Sequence, residues 1–310
     1  MRAPCGKQVT VRHGLEEPLA QLGAERLRPP PVPWARARGP TLGAVHPLLR
    51  ASHPEPAVAV TLAAAALAAG LGQTTWGVLA VVGAVLAGQL SVGWLNDLVD
   101  AGRDAAVGRT DKPVAIGAVS ATTIRTAVII AAVATVGLSL ASGVPAGLAH
   151  IVAVGSAWAY DLRLKATAFS IAPYAVSFGL LTAFVTLGLP DPYLPPWWLV
   201  ATAALLGSAA HFANTLPDLE DDNATGVRGL PHRMGAQASR VAAALLVLAA
   251  SATLVAGLPR PVLGLIGLGV AVLVTAVGLV LGRRPGSRAA FNAMLVVAVL
   301  DAAVLVAANA

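Results

Sequence analysis

From about residue 55 to the C-terminus, apolar runs of about 17 to 22 residues alternate with short polar or glycine- and proline-rich connectors. About 20 apolar residues cross a hydrocarbon core of roughly 30 Å, so each run predicts a membrane-spanning helix. The runs fall at roughly 55–72, 75–95, 118–140, 144–160, 168–189, 195–216, 237–257, 261–281 and 288–309. GLGQ (70–73), ASGVP (141–145), LPDPYLPP (189–196), GLPRP (257–261) and GRRPGS (282–287) punctuate them with turn chemistry. The pattern predicts an all-α integral membrane protein, a bundle of nine helices.

Composition agrees: 56% of residues are hydrophobic and only 12% are charged, against about 25% charged in soluble domains. Residues 1–45 differ. They hold PPPVP (29–33), dispersed Arg and Glu and no sustained apolar period. They read as a disordered, basic, proline-rich cytoplasmic tail with no signal-peptide core, preceding a membrane domain at 46–310. Cys5 is the single cysteine, which excludes an intramolecular disulfide.

Basic residues orient the spans. Of the 21 Lys and Arg, only Arg260 falls in an odd-numbered connector. The excess of positive charge marks the cytoplasmic side. The N-terminus and the even connectors are therefore expected in the cytoplasm and the C-terminus outside, in a multi-pass plasma-membrane protein. Trp197 and Trp198, after Pro195 and Pro196, read as anchors at the outer interface.

Acidic residues are scarce, and seven of the 15 lie in two clusters at one expected membrane face. In NDLVDAGRD, Asp97, Asp100 and Asp104 follow Asn96 at i, i+3 and i+7, which is one helical face. In NTLPDLEDDNATG, Asn214, Asp218 and Asp222 recur every four residues, and Asp221 lies one turn after Asp218. Pro217 is placed to kink the sixth span. Like charges on one face repel, and a divalent cation removes that cost. Carboxylate and amide oxygens are the ligands Mg²⁺ takes, usually one or two of them beside substrate phosphates. Intramembrane carboxylates are functional candidates. Arg109, Lys112, Arg163, Lys165 and Arg228 lie at the same face, where positive-inside topology also accounts for them. A diphosphate held through Mg²⁺ and these cations fits the pattern.

NDLVDAGRD resembles the NDxxDxxxD motif of the UbiA superfamily of intramembrane prenyltransferases, and Asp218 and Asp222 resemble its DxxxD motif. GRTDKPVAIGAVS is similar to the family's connector, with Lys112 where many members carry Arg. AYDLRLKA resembles the segment after the fourth helix through Tyr160 and Lys165. The similarity spans about residues 45–309. It implies a nine-helix bundle around a cavity open to lipid, with Asn96, Asp97, Asp100 and Asp104 facing Asp218 and Asp222 and holding Mg²⁺ on a prenyl diphosphate. It implies Asp100, Asp104, Asp218 and Asp222 as catalytic residues, and Lys112, Lys165, Arg109, Arg163 and Arg228 as diphosphate ligands. The partners implied are the prenyl diphosphate, a hydrophobic acceptor and the bilayer; no nucleic acid is expected. Tyr160, His211 and Asn214 are candidates for contact with the acceptor or cation. Aromatic residues including Trp94, Trp158, Tyr174, Phe178, Phe184 and Phe212 stabilise a cation if they face the cavity. Two alternatives stay open: a terpene cyclase that performs the same ionisation without an acceptor, and a cation-coupled transporter.

Overall fold

A computed structural model describes residues 46–259, 261–284 and 286–309; the expected tail at 1–45 lies outside the described residues. Every regular element among the described residues is helical. A short α1 (Pro47–Ala51) precedes α2 (Pro54–Gly70), α3 (Thr75–Ala106), α4 (Ala121–Ala141), α5 (Val144–Leu162), α6 (Ala172–Leu187) and α7 (Trp197–Thr215). Two short helices, α8 (Leu219–Ala224) and α9 (Leu230–Met234), lead to α10 (Ala236–Gly257), α11 (Pro261–Leu281) and α12 (Ala289–Asn309). Local chemistry sets several starts. The Thr74 and Ser120 hydroxyls accept the Gly77 and Thr123 amides at 3.1 and 3.0 Å, and proline stands in the first turn of α2, α5 and α6.

Six helical segments are long and apolar enough to cross a membrane: α3, α4, α10, α11, α12, and α7 continued to Ala224. The shorter apolar helices are α2 and α6. Large apolar side chains stay exposed, among them Ile129, Ile130 and Val133 on α4 and Leu265, Ile266 and Leu273 on α11. Such broad apolar exposure is unusual for a soluble monomer and suits a lipid-facing surface. Consecutive long helices pack on one another from α2 to α7 and again from α10 to α12, α10 packs on α7, and α12 returns to α2. Close approach needs small residues. A Cβ on Gly207 of α7 would stand 2.6 Å from the Phe178 ring and 2.7 Å from the Tyr174 carbonyl of α6.

Two boundaries and the burial of one side chain differ from the sequence reading. First, α3 runs unbroken for 32 residues, about 48 Å at 1.5 Å per residue. That exceeds a bilayer core of roughly 30 Å. Second, α7 stops at Thr215, and a 3₁₀ turn (Leu216–Asp218) containing Pro217 intervenes before α8. Asn214, Asp218 and Asp222 therefore do not share one continuous helical face. Third, Trp197 is exposed as expected of an interfacial residue, but Trp198 is not. It packs beside Leu199, Leu254 and Leu258.

Candidate active site at the ends of α3 and α7

The two acidic segments meet at one end of the bundle. Asp100, Arg103, Asp104 and Val107 from the end of α3, Arg109 from the connector, and Asp221, Asp222 and Thr225 from α8 and its end line an open recess. Asp218 joins them through Arg109, whose Nη1 donates to Asp218 Oδ1 at 3.1 Å. The same guanidinium donates through Nε and Nη2 to both oxygens of Asp111 at 2.8 Å. That pairing holds the Asp111 carboxyl down at about 2 and raises the Arg109 pKa further above its ordinary value.

The three aspartates of NDLVDAGRD do different things. Asp100 takes Lys165 Nζ on Oδ1 at 2.5 Å, pairs with Arg103 one turn on, and accepts from Asn96 Nδ2 at 3.3 Å. Asp104 keeps Oδ2 buried without a hydrogen-bond partner. Asp97 does not line the recess. Its side chain is fully buried, 3.3 Å from Lys112 Nζ, and its Oδ2 accepts the Val114 amide at 3.4 Å. Asp97 thus pins the connector after α3, and Lys112 faces it rather than open solvent. Helical rotation puts residues at i and i+7 on one face, but a connector that folds back on one of them makes their surroundings different.

Lys165 reaches the site because α5 ends at Leu162 and a 3₁₀ turn (Leu164–Ala166) turns its side chain inward; Lys165 is 8% exposed. Gly229 allows the approach: a Cβ there would meet the Lys165 carbonyl at 2.5 Å. Arg163 and Arg228 are exposed and enter no salt bridge among the described residues.

The proposed contact residues meet around Tyr174. Tyr160 and Tyr174 meet edge-on with centroids 5.1 Å apart, and His211 lies 5.5 and 4.9 Å from them. His211 is 1% exposed, with Nε2 2.9 Å from Ser170 Oγ and Nδ1 unpartnered. Asn214 is exposed. Phe184 and Phe212 are buried; Phe184 stacks on His150 at 4.5 Å. The indoles of Trp94 and Trp158 donate to the Leu48 carbonyl and to Ser91 Oγ.

Among the described residues no three His, Cys, Asp or Glu side chains form a ready-made metal cluster. The donor set still fits a hard cation. Carboxylates of α3 and α8 line one recess, and one buried oxygen of Asp104 lacks a partner. Mg²⁺ usually takes only one or two carboxylates, completing its shell with water and phosphate oxygens.

A model of the UbiA prenyltransferase family matches residues 57–299. The chain belongs to that family. Its solved structural relatives are distant in sequence and close in fold. A UbiA homolog from Aeropyrum pernix K1 superposes with a TM-score of 0.68 at 17% identity, covering 81% of this chain and 97% of that one. A UbiA homolog from Archaeoglobus fulgidus bound to GPP and Mg²⁺ gives 0.67 at 16% identity, covering 85% and 98%. A digeranylgeranylglyceryl phosphate synthase gives 0.60 at 14% identity, covering 85% and 97%. No curated protein matches the chain.

This UbiA family member is a multi-pass membrane protein. Its site also uses residues that sequence reasoning passed over. Arg103 sits inside the first motif and pairs with Asp100; the i, i+3 spacing was the available signal. Asp161 binds Asn96 at 3.0 Å, and its signal was the Asp161–Lys165 spacing of one turn. His232 binds Asp222 at 3.1 Å, and His53 meets Lys112 at 3.0 Å. For neither histidine does the sequence spacing point to its partner.

Proposed function

We propose that the protein is an intramembrane prenyltransferase that ionises a prenyl diphosphate at this recess and transfers the prenyl group to a hydrophobic acceptor. The observation that carries the reading is the Arg109–Asp218 contact, which joins the connector after the first acidic motif to the second motif beside a recess lined by both. Arg109, Lys112, Lys165 and Arg103 surround the carboxylates with positive charge suited to a diphosphate. A family relative in the same fold binds GPP with Mg²⁺, and we carry that ligand class to this chain.

Asn96, Asp100, Asp104, Asp218, Asp221 and Asp222 are the residues that would hold Mg²⁺, with Asp97 acting through Lys112. Bound there, Mg²⁺ supplies positive charge to the phosphate oxygens. Lys165 and Arg109 stabilise the charge that grows on the diphosphate as the C–O bond breaks and the electron pair leaves with oxygen. Tyr160 and Tyr174, which meet edge-on, are the aromatic candidates for contact with the allylic cation. The surrounding helices exclude water, so the acceptor's electron pair, rather than water, closes the new bond before a proton is lost. All nine long helices cross the bilayer in this reading, with the N-terminus and both acidic segments cytoplasmic.

The test supplies purified protein with Mg²⁺ and prenyl diphosphates of several lengths, with and without lipid extract, and measures released diphosphate and product mass. Release that needs Asp100 and Asp218, with a prenylated product appearing only with extract, is expected. A hydrocarbon or alcohol formed without extract would make the protein a cyclase. Undiminished release by both Asp100→Ala and Asp218→Ala would remove the site assignment.

A further inference from the structure

Apart from the acidic recess, α10, α11 and α12 leave a cleft between them, toward the end where α10 begins and α11 finishes. Its walls are mostly small or apolar, with Ala243 and Val247 from α10, Gly278 from α11 and Ala290 from α12. Two polar side chains also line it, Arg240 and Thr275. Arg240 lies near the start of α10, and its Nη1 donates to the Gly282 carbonyl just past α11 at 2.6 Å. Thr275 lies about 10 Å further along α11, at 1.5 Å per residue.

Arg240 is braced but not neutralised. Its Nη2 donates to Gln237 Oε1 at 2.7 Å, so the two bonds use two of the five N–H donors of a guanidinium. It enters no salt bridge among the described residues, whereas Arg288 at the start of α12 pairs with Glu55 at 2.7 Å. Its own helices offer no carboxylate at this end. After Asp222 the sequence holds one acidic residue, Asp301, which is buried in α12 and accepts from Ser251. Arg283 and Arg284, both exposed, add positive charge beside Gly282. Positive-inside topology explains a basic connector. It does not explain an arginine tied down at the side of an apolar cleft.

Thr275 is 7% exposed, and its Oγ1 has no hydrogen-bond partner. Thr61, Thr135 and Thr253 each donate to the carbonyl one turn back, at 2.7 Å. The Thr275 hydroxyl makes no such bond, and a buried hydroxyl without an acceptor costs free energy.

We infer that this cleft is a binding site for an anionic phospholipid. Basic pockets between membrane helices attract such headgroups, and the lipid supplies what each wall lacks. The phosphate meets the remaining donors of Arg240, an ester carbonyl accepts from Thr275, and the acyl chain continues past Val247. The inference goes beyond the proposed reaction and holds whichever reaction the recess performs.

The experiment measures lipid binding to the full-length detergent-solubilised chain by native mass spectrometry. The probes are phosphatidylglycerol, phosphatidylcholine with the same chains, and glycerol 3-phosphate as the headgroup alone. Phosphatidylglycerol is expected to bind about 10-fold more tightly than phosphatidylcholine, and Arg240→Gln to remove that difference. Ala290→Leu fills the cleft without changing charge, should weaken phosphatidylglycerol about as much, and carries the test if Arg240→Gln does not fold. Arg284→Gln removes the same charge outside the cleft and should keep most of the affinity. Equal binding of the two lipids by the wild type would overturn the inference. So would wild-type affinity for phosphatidylglycerol in the folded Arg240→Gln and Ala290→Leu variants, which would leave only diffuse attraction to a basic surface. Displacement of the lipid by an equal concentration of glycerol 3-phosphate would make this a site for free phosphates and overturn it as well.

Discussion

Arg109 Nη1 stands 3.1 Å from Asp218 Oδ1 while its other nitrogens hold Asp111, so one guanidinium ties the connector after α3 to the turn after α7. Removing it takes a brace from the site and, under the proposed function, a diphosphate ligand. Arg109→Ala is expected to lower kcat/KM for diphosphate release by about 100-fold. Arg109→Lys should recover only part, because a lysine ammonium is a point charge and cannot reproduce the fork that meets Asp111 and Asp218 together. Steady-state kinetics with a single prenyl diphosphate checks both variants; full activity in Arg109→Lys would show that charge alone suffices.

Lys112 and Asp97 form the most buried ion pair of the site, with side chains 13% and 0% exposed. Breaking one partner of such a pair leaves an unpaired buried charge, at a cost of about 3–5 kcal/mol. Lys112→Ala should therefore destabilise the fold by an amount of that order, and Lys112→Arg should keep most of the stability. Melting in detergent distinguishes the two. Equal melting of Lys112→Ala and the wild type would mean that Asp97 is not charged in the folded protein.

Stability should fall on acidification, and two groups outside the membrane spans give the direction. His53, which caps α2, is pushed down from 6.5 to about 3, first by burial and then by the neighbouring Lys112 and Arg109. Between those values the unfolded chain binds a proton that the folded chain refuses, so stability is lost as pH falls from about 6.5 toward 3. Asp111, held at about 2 by Arg109, adds a second loss between its ordinary 3.8 and about 2. His53 has φ 53°, the left-handed region that asparagine tolerates. His53→Asn should therefore fold and flatten the upper part of the pH–melting curve. An unchanged curve between pH 6.5 and 4 would exclude His53 as its source.

Gly207 lets α7 lie against α6 one turn before His211. A methyl there meets both the Phe178 ring and a backbone carbonyl, and a backbone atom cannot step aside as a side-chain end does. Gly207→Ala is expected to cost about 1–3 kcal/mol by overpacking, with a displaced Tyr174 and slower turnover. A melting scan beside an activity assay reads both; an unshifted melting temperature would show that α6 and α7 separate freely.

Much of the architecture was legible in the chain. Every predicted apolar run coincides with a helix in the described residues, and six helical segments are long and apolar enough to cross a membrane, because apolar length and Gly/Pro punctuation are local properties. The two acidic motifs were also visible, since Asp is rare in such a chain and a spacing of three or four residues marks a helical face. The division of labour inside them was not. Asp97 and Asp100 sit three residues apart, yet the first is buried under Lys112 and the second bonds Lys165 from another helix.

The sequence by itself determined the elements, their apolar faces and which residue types lie near the expected membrane edge, because those follow from neighbours a few positions away. Only the tertiary structure decided which charge meets which. Lys165 turns inward and Arg163 does not, Asp161 reaches Asn96 across 65 positions, and Arg109 reaches Asp218 across 109. Those pairings depend on where α5, the α3 connector and the turn after α7 converge when the helices pack. Long-range convergence of that kind leaves no period in the sequence, because the energy that selects it arises between segments rather than within them.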